Sequence, residues 1–462
     1  MYIEQLYTGC LAEAAYYIES EGEAAIIDPL RETSPYIELA AKRNAKIKYV
    51  FETHFHADFV SGHIDLARKT GSSIVFGPTA QTGYDVIVAK DEEVFSIGKI
   101  KLKVLHTPGH TLESSCFLLI DENGNNNAVF TGDTLFVGDV GRPDLAIKSD
   151  LTIDDLAGML FDSLNSKIKP LADDVIVYPG HGAGSSCGKN IGKETFSTIG
   201  TQKQLNYAMQ PMNKLEFIKA VTDGLSSAPG YFAMDARLNK EGYDSIDDIL
   251  KKNTKALSVT EFEAEMAKGA LVLDVRSPDD FEKGFVPNAI NIGLNGQYAP
   301  WVGALIDANV SLILVAEDGK EAEAVLRLAR VGYEKVNGYL KGGIPAWKNE
   351  GKEIETIESV TAEDFVARID SSSNILDVRK LGEVESGIVE NAQHICLSKL
   401  QTELNSLDKN KHYFVHCAGG YRSMMAASIL KQKGFTKITN VLGGMGKINA
   451  TGIKLVQPVL TL

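Results

Sequence analysis

Six side chains of metal-binding type, His54, His56, Asp58, His110, Asp133 and His181, stand before residue 182, each just past a short apolar run. Imidazole nitrogens and carboxylate oxygens are the donors that first-row divalent metals take, so the set predicts a metal centre. The stretch ETHFHADFVSGH, Glu52 to His63, carries three of the six and then, directly after Asp58, Phe59. A phenyl ring cannot coordinate. Two further residues bear on the same centre. Arg142, in GDVGRPDL, has a planar fork suited either to an anionic ligand or to a brace against Asp144. Cys187, six residues after His181 in GHGAGSSCGKN, is a thiol that could reach the mouth of the site or simply pack there as a small side chain.

A second constellation lies in FVHCAGGYRSMMAASILKQKG, where an apolar run ends at His416 and Cys417 to Arg422 lead into a helical pattern. The N–H groups of a glycine-rich loop and a helix N-terminus stabilise a sulfur anion, and Arg422 adds positive charge beside it. The remaining cysteines, Cys10, Cys116 and Cys396, sit in or beside strand-like runs and are expected to pack in the core.

The elements that must position these residues can be read from the runs before them. AAIIDP (24–29), KIKYVFET (46–53), KIKLKVLHTPG (99–109), NAVFTGD (127–133) and DVIVYPGHG (174–182) each read as a strand broken by Gly, Pro or Asp. Four of them end in ligand-type residues, which gathers these at one sheet edge. SGHIDLARKTG has helical spacing with Gly71 as its stop. Residues 198–255 turn polar and helical, closing the first domain and leading onward. Beyond them is a repeat of about a hundred residues: LVLDVRSPDDFEKG (271–284) returns as NILDVRKLGEVESG (374–387), and GYLKGGIPAW (338–347) as NVLGGMGKIN (440–449). Each copy reads as a parallel α/β unit. Aligning the copies sets Ala316 opposite Cys417 and Glu321 opposite Arg422. A methyl group cannot carry sulfur and a carboxylate repels an anion, so the first copy is expected to be silent. Asp274 with Arg276, and Asp377 with Arg379, fit structural ion pairs.

The chain has 462 residues, enough for about three domains. Its formal charge of -14 argues against a duplex nucleic-acid partner. No apolar run is long enough to cross a bilayer, and the N-terminus has neither basic cluster nor apolar segment of a signal peptide. Five cysteines, odd in number and never in CxxC pairs, fit a reducing compartment. A cytoplasmic protein with no membrane partner is expected.

ETHFHADFVSGH, HTPGHTLES, TGDTLFVGDVGRPDL and YPGHG together resemble the metallo-β-lactamase fold over roughly residues 1–200, and within it the persulfide dioxygenases. Dinuclear members of the fold read HxHxDH where this chain has Phe59. The CxxGxR loop at Cys417 resembles that of the rhodaneses, its length that of the sulfur-transferring members. The resemblance implies an α/β multidomain chain: an N-terminal αββα sandwich with closing helices and connector (1–250), an inactive rhodanese-like domain (256–353) and an active rhodanese domain (357–462). It implies one Fe(II) per chain on His54, His110 and Asp133, with His56, Asp58 and His181 orienting the ligands by hydrogen bonds and Arg142 near an anionic thiol substrate. Some members carry a tyrosine two residues after the last histidine, where this chain has Ala183.

The activity so implied is oxidation of a low-molecular-weight persulfide by O2 to sulfite, with Cys417 and Arg422 passing a second sulfane sulfur to sulfite as thiosulfate. Cys187 could carry or receive such a sulfur. Sulfide detoxification is the corresponding role, with small-molecule persulfide, O2 and sulfite as partners and a homo-oligomer as assembly. Two other readings stay open: a dinuclear thioester hydrolase of the glyoxalase II type fused to rhodaneses, and a non-catalytic persulfide sensor.

Overall fold

A computed structural model describes residues 1–145, 151–225 and 227–458. The chain forms two compact units, residues 1–249 with 328–333, and residues 250–327 with 334–462.

The first unit is built on two six-stranded sheets. One has the order β1 (Tyr2–Thr8), β2 (Glu13–Ser20), β3 (Glu23–Ile27), β4 (Lys46–Glu52), β5 (Ser73–Phe76), β6 (Ile87–Val88). The other comprises β7 (Val94–Ile97), β8 (Ile100–His106), β9 (Ser115–Ile120), β10 (Asn126–Gly132), β11 (Ile176–Pro179) and β12 (Ser197–Thr198), adjacent in that order. Side chains alternate across each strand, and the alternation separates three cores. Tyr16, Ile18, Ile27, Phe51, Leu102, Val104, Phe117, Leu119 and Phe130 fill the space between the sheets. Their neighbours face outward: Tyr17, Ile26 and Val50 pack with Tyr36 and Leu66 of the helices Ser34–Lys42 and His63–Thr70. On the opposite face Leu105, Cys116, Leu118 and Val129 pack with Leu160 and Phe217 of the helices Ile153–Ser163 and Lys214–Thr222. The result is an αββα sandwich. Capping boxes at Thr152 with Asp155, and at Asn213 with Glu216, fix the starts of the last two helices, each cap contributing about 1 kcal/mol.

In the second sheet β10 runs parallel to β11 and antiparallel to β9, which is antiparallel to β8. The C-terminal ends of β8, β10 and β11 therefore share one edge. The loops after them carry His110, Asp133 and His181, and the loop after β4 carries His54, His56 and Asp58.

The second unit contains two five-stranded sheets of matching topology. The first has the order β13 (Ala256–Leu257), β17 (Val336–Leu340), β16 (Leu312–Val315), β14 (Leu271–Asp274), β15 (Ile290–Asn291). The second has the order β18 (Glu358–Val360), β23 (Ile438–Val441), β22 (Tyr413–His416), β19 (Asn374–Asp377), β21 (Ala392–His394). A separate short pair joins β20 (Ile388–Val389) to β24 (Leu455–Val456). All pairings within the two large sheets are parallel. The near-continuous apolar runs LVLD and LILV suit strands covered on both faces. In each copy the LDVR pair is closed: Arg276 and Arg379 donate to Asp274 and Asp377 at 2.6–3.1 Å, and Arg379 also reaches the carbonyl of Gly387 at 2.8 Å. No helix among the described residues is long and apolar enough to cross a membrane.

Candidate metal centre and sulfur-transfer loop

Three histidines at the sandwich edge have one ring nitrogen committed to the protein. Asp28, at the end of β3 with φ of 48°, turns its carboxylate to accept from Thr53 N at 2.7 Å and Thr53 Oγ1 at 2.8 Å. A hydroxyl has one proton. Having given it to Asp28, Thr53 Oγ1 can only accept from His54 Nδ1, 2.9 Å away. His110 Nδ1 donates to the carbonyl of Arg142 at 2.8 Å, and His181 Nδ1 to that of Ala12 at 3.1 Å. Each Nε2 thus keeps its lone pair and faces inward, the arrangement by which a surrounding partner fixes a ligand's tautomer.

The inward atoms meet without partners. His54 Nε2 and His110 Nε2 lie 3.9 and 3.4 Å from Asp133 Oδ2. His181 Nε2 lies 3.4 Å from Asp58 Oδ2 and 3.6 Å from Asp133 Oδ1. The three Nε2 atoms and both Asp133 oxygens are buried and lack any hydrogen bond, which costs about 1–3 kcal/mol for each such atom. A divalent cation offsets all of them at once, so the donor set fits a metal. The ligand atoms of His54, His110 and Asp133 are within 4.8 Å of one another, as are those of His56, Asp58 and His181. Burial, then the rings of His56, His110 and His181, hold His54 well below the usual histidine range, in the neutral form a metal requires.

His56 behaves differently. Its Nε2 lies 3.1 Å from Asp28 and 3.4 Å from Glu52. Burial disfavours its charge, but those two acids outweigh burial and push the ring well above the usual range. Burial in turn raises Glu52 to about 7. Phe59 is fully buried and lies on the His56 ring, centroids 4.3 Å apart. Asn239, on the helix Phe232–Glu241, holds the whole loop: its amide donates to the carbonyls of His56 (2.8 Å) and Phe59 (2.7 Å) and accepts from Ser61 N (2.9 Å). Nothing in the sequence around Asn239 signals that duty. Close approach explains two glycines here, since a Cβ on Gly141 would stand 2.0 Å from the Asp133 carbonyl and one on Gly180 2.8 Å from Asp133 Oδ1.

The two uncertain residues beside the centre take definite places. Cys187 is buried rather than open at the mouth, with Sγ within 4.8 Å of the donor atoms of Asp133 and His181. Burial, then Asp58 and Asp133, push its thiol well above the usual range. Arg142 is a brace: it donates to both oxygens of Asp144 at 2.6 and 2.7 Å and to the Ser186 carbonyl at 3.2 Å. Its N–H also donates to the Cys187 carbonyl at 2.9 Å. Of the three cysteines expected in the core, Cys116 is buried there, whereas Cys10 and Cys396 are half-exposed; the half-exposed pair lie at strand ends, where alternation no longer dictates burial.

In the second unit Cys417 follows β22 and is buried beneath its loop. Gly420 N donates to its Sγ at 3.1 Å, and Ser423 Oγ lies at 3.7 Å. The twelve-residue helix Tyr421–Gln432 begins there, with Gly420 as its N-cap at φ of 101°. Met445 N and Gly446 N anchor the carbonyls of Cys417 and Ala418 at 2.7 and 3.1 Å. This approach requires Gly444, whose Cβ would stand 2.3 Å from the Cys417 oxygen. Arg422, expected to add positive charge beside Cys417, has a carboxylate partner as well. It forms a two-pronged pair with Glu383 at 2.6 and 2.7 Å, because the helix after β19 presents that carboxylate across the loop. In the other copy Ala316 follows β16 and Glu321 opens the helix Glu321–Ala329, so the silent positions occupy the corresponding places.

Comparison with known proteins agrees with this architecture. Residues 8–79 and 71–181 match the metallo-beta-lactamase superfamily, and 258–350 and 361–451 match the rhodanese-like domain. A solved metallo-beta-lactamase from Staphylococcus aureus is 33% identical with a TM-score of 0.65, covering 74% of this chain and 98% of its own. A probable hydroxyacylglutathione hydrolase of Schizosaccharomyces pombe is 36% identical over 34% of this chain, which spans 58% of that relative's length. The hydroxyacylglutathione hydrolase of Pelagibacter ubique is 30% identical over 37% of this chain and 68% of its own. The chain belongs to the metallo-β-lactamase superfamily, in a form that carries two rhodanese-like domains behind the metal-binding one.

Proposed function

We propose that this chain is a mononuclear non-haem iron(II) persulfide dioxygenase joined to a rhodanese sulfurtransferase, and that it removes sulfide-derived sulfur in the cytoplasm. The observation that carries the reading is the pairing of an unpartnered His54, His110 and Asp133 trio with Phe59 lying against His56. Two imidazoles and one carboxylate suit iron(II), which supplies open positions for an anionic sulfur and for O2 and the redox chemistry between them. One persulfide, one O2 and one water give the thiol, sulfite and two protons; the sulfane sulfur loses four electrons and O2 gains them. The protein's own part is to hold the imidazoles of His54 and His110 in the required tautomer and to keep the donors buried away from bulk water. Cys417 takes a second sulfane sulfur, and sulfite attacks the outer sulfur of that enzyme persulfide to release thiosulfate and the Cys417 thiol.

Arg142 serves this reading chiefly by orienting His110 and holding the Cys187 loop; contact with an anionic substrate would require its fork to leave Asp144. Cys187, buried with its Sγ within 4.8 Å of the donor atoms of Asp133 and His181, is the thiol near enough to the centre to carry or receive a sulfane sulfur.

A hydrolytic reading is favoured by the names of the curated relatives, and it would need a second metal on Asp58, Asp133 and His181 without a histidine at position 59. Metal analysis joined to an oxygen electrode separates the two. About one iron per chain, with O2 consumed in step with added persulfide, is expected. Two zinc ions per chain and thioester hydrolysis without O2 uptake would replace the dioxygenase. In the same assay Cys187→Ala should shift the sulfite to thiosulfate ratio, and Cys187 should gain sulfur mass after persulfide treatment; an unmodified thiol and an unchanged ratio remove it from the mechanism.

A further inference from the structure

The silent repeat presents residues to the loop of the active one. A cavity of about 310 Å3 at the start of the helix that follows the Cys417 loop is lined by Lys380, Glu383, Tyr421 and Arg422 of the active repeat and by Gln297 and Trp301 of the silent one. Its walls are held by bonds between the repeats. Tyr421 Oη donates to the Gly293 carbonyl at 2.6 Å, and Asn291 N donates to Ser428 Oγ at 3.0 Å on the helix that carries the sulfur loop. Gly296 lies so close to the Tyr421 ring that a Cβ would stand 2.7 Å from it. Above the loop, space is open: a Cβ on Gly419 would meet nothing within 4 Å.

The lining has a definite chemistry. Arg422 and Glu383 neutralise one another, which leaves Lys380 as the uncompensated charge among the lining residues. Trp301 and Tyr421 supply aromatic surface, and Gln297 an amide. Thiosulfate or sulfite needs none of this surface. A small organic thiol with an anionic group does.

We propose that Gln297, Trp301 and Lys380 are the residues that select the sulfur donor of Cys417, and that the donor is an organic persulfide bearing a carboxylate. This rests on the reading of Cys417 as the acceptor of a sulfane sulfur. The carboxylate meets Lys380, the organic body lies on Trp301 beside Tyr421, and the outer sulfur reaches Cys417 over Gly419. The Cys417 thiolate attacks that outer sulfur, a new S–S bond forms as the donor's S–S bond breaks, the outer sulfur keeps its proton, and the thiolate product leaves to be protonated by water. The absence of a nucleophile at Ala316 is then compatible with a retained function, since the silent repeat contributes the recognition wall.

The test compares glutathione persulfide with thiosulfate as donors to the full-length protein. For Trp301→Ala, Gln297→Ala and Lys380→Ala, the ratio of kcat/KM for glutathione persulfide to that for thiosulfate should fall about tenfold, the scale of one aromatic or charged contact, mainly through KM. Gln297 and Lys380 are exposed, so those variants fold whatever Trp301→Ala does. An unchanged ratio in the Gln297 and Lys380 variants overturns the proposal. If the unmodified protein transfers sulfur from thiosulfate but never from glutathione persulfide, the reading of Cys417 as acceptor from organic persulfides fails instead.

Discussion

Thr53 shows how much of the metal centre depends on residues that are not ligands. Its hydroxyl proton goes to Asp28, which compels it to accept from His54. Thr53→Val keeps the shape and removes the relay, leaving both a buried carboxylate oxygen and His54 Nδ1 short of a partner. The fold should survive, while metal affinity falls about 10–100-fold; metal content after equilibrium dialysis measures it, and unchanged affinity would mean the tautomer is fixed otherwise. The cluster of candidate donors was legible in the sequence because each stands just past an apolar run that ends in a breaker. Their supports were not. The carbonyls of Ala12 and Arg142 belong to residues of any type, so no sequence pattern marks them. Arg142 and Arg422 illustrate the converse: of the two readings open for Arg142 the geometry has the brace to Asp144, two residues away, and Arg422 pairs with Glu383, thirty-nine residues away.

At the scale of elements, the strand ends were read correctly because a β-run, a breaker and a polar loop leave a local signature. The five runs expected as strands correspond to β3, β4, β8, β10 and β11. The helix Phe232–Glu241 was visible only as polar and helical, and its task as a clamp on the ligand loop depends on a meeting 180 residues distant. Asn239→Ala would leave two carbonyls and one N–H buried without partners, so stability should drop by about 3 kcal/mol, seen as an earlier midpoint in urea denaturation. A drop below about 1 kcal/mol would show that the loop holds itself.

For the whole molecule, the repeat of about a hundred residues and the pairing of Ala316 with Cys417 gave the plan of the second half, because an internal copy supplies its own standard of comparison. What the repeat did not disclose is that Trp301 would line the other copy's cavity, a consequence of packing. In the proposed function the two chemistries use no common residue. Cys417→Ser should therefore abolish transfer of sulfur from thiosulfate to cyanide and leave persulfide-dependent O2 uptake within about twofold, a change worth under 0.5 kcal/mol. Simultaneous loss of both would mean that one centre feeds the other obligatorily.

The bond from His181 Nδ1 to the Ala12 carbonyl spans 169 residues, and Ala14 N and Gly182 N add backbone bonds on either side of it. Closing a chain segment of that length costs on the order of 5 kcal/mol in entropy before any contact returns it. The contact between the first hairpin and the loop after β11 must wait for nearly the last element of the sandwich. Contacts so distant in sequence form late and slowly, so the tautomer of His181, with its Nε2 lone pair inward, is fixed only once the sandwich has closed. Ligand geometry here is a record of completed folding: a nascent or partly folded chain exposes its histidines to stray metals in other tautomers and other groupings, and the selective set appears only at the end.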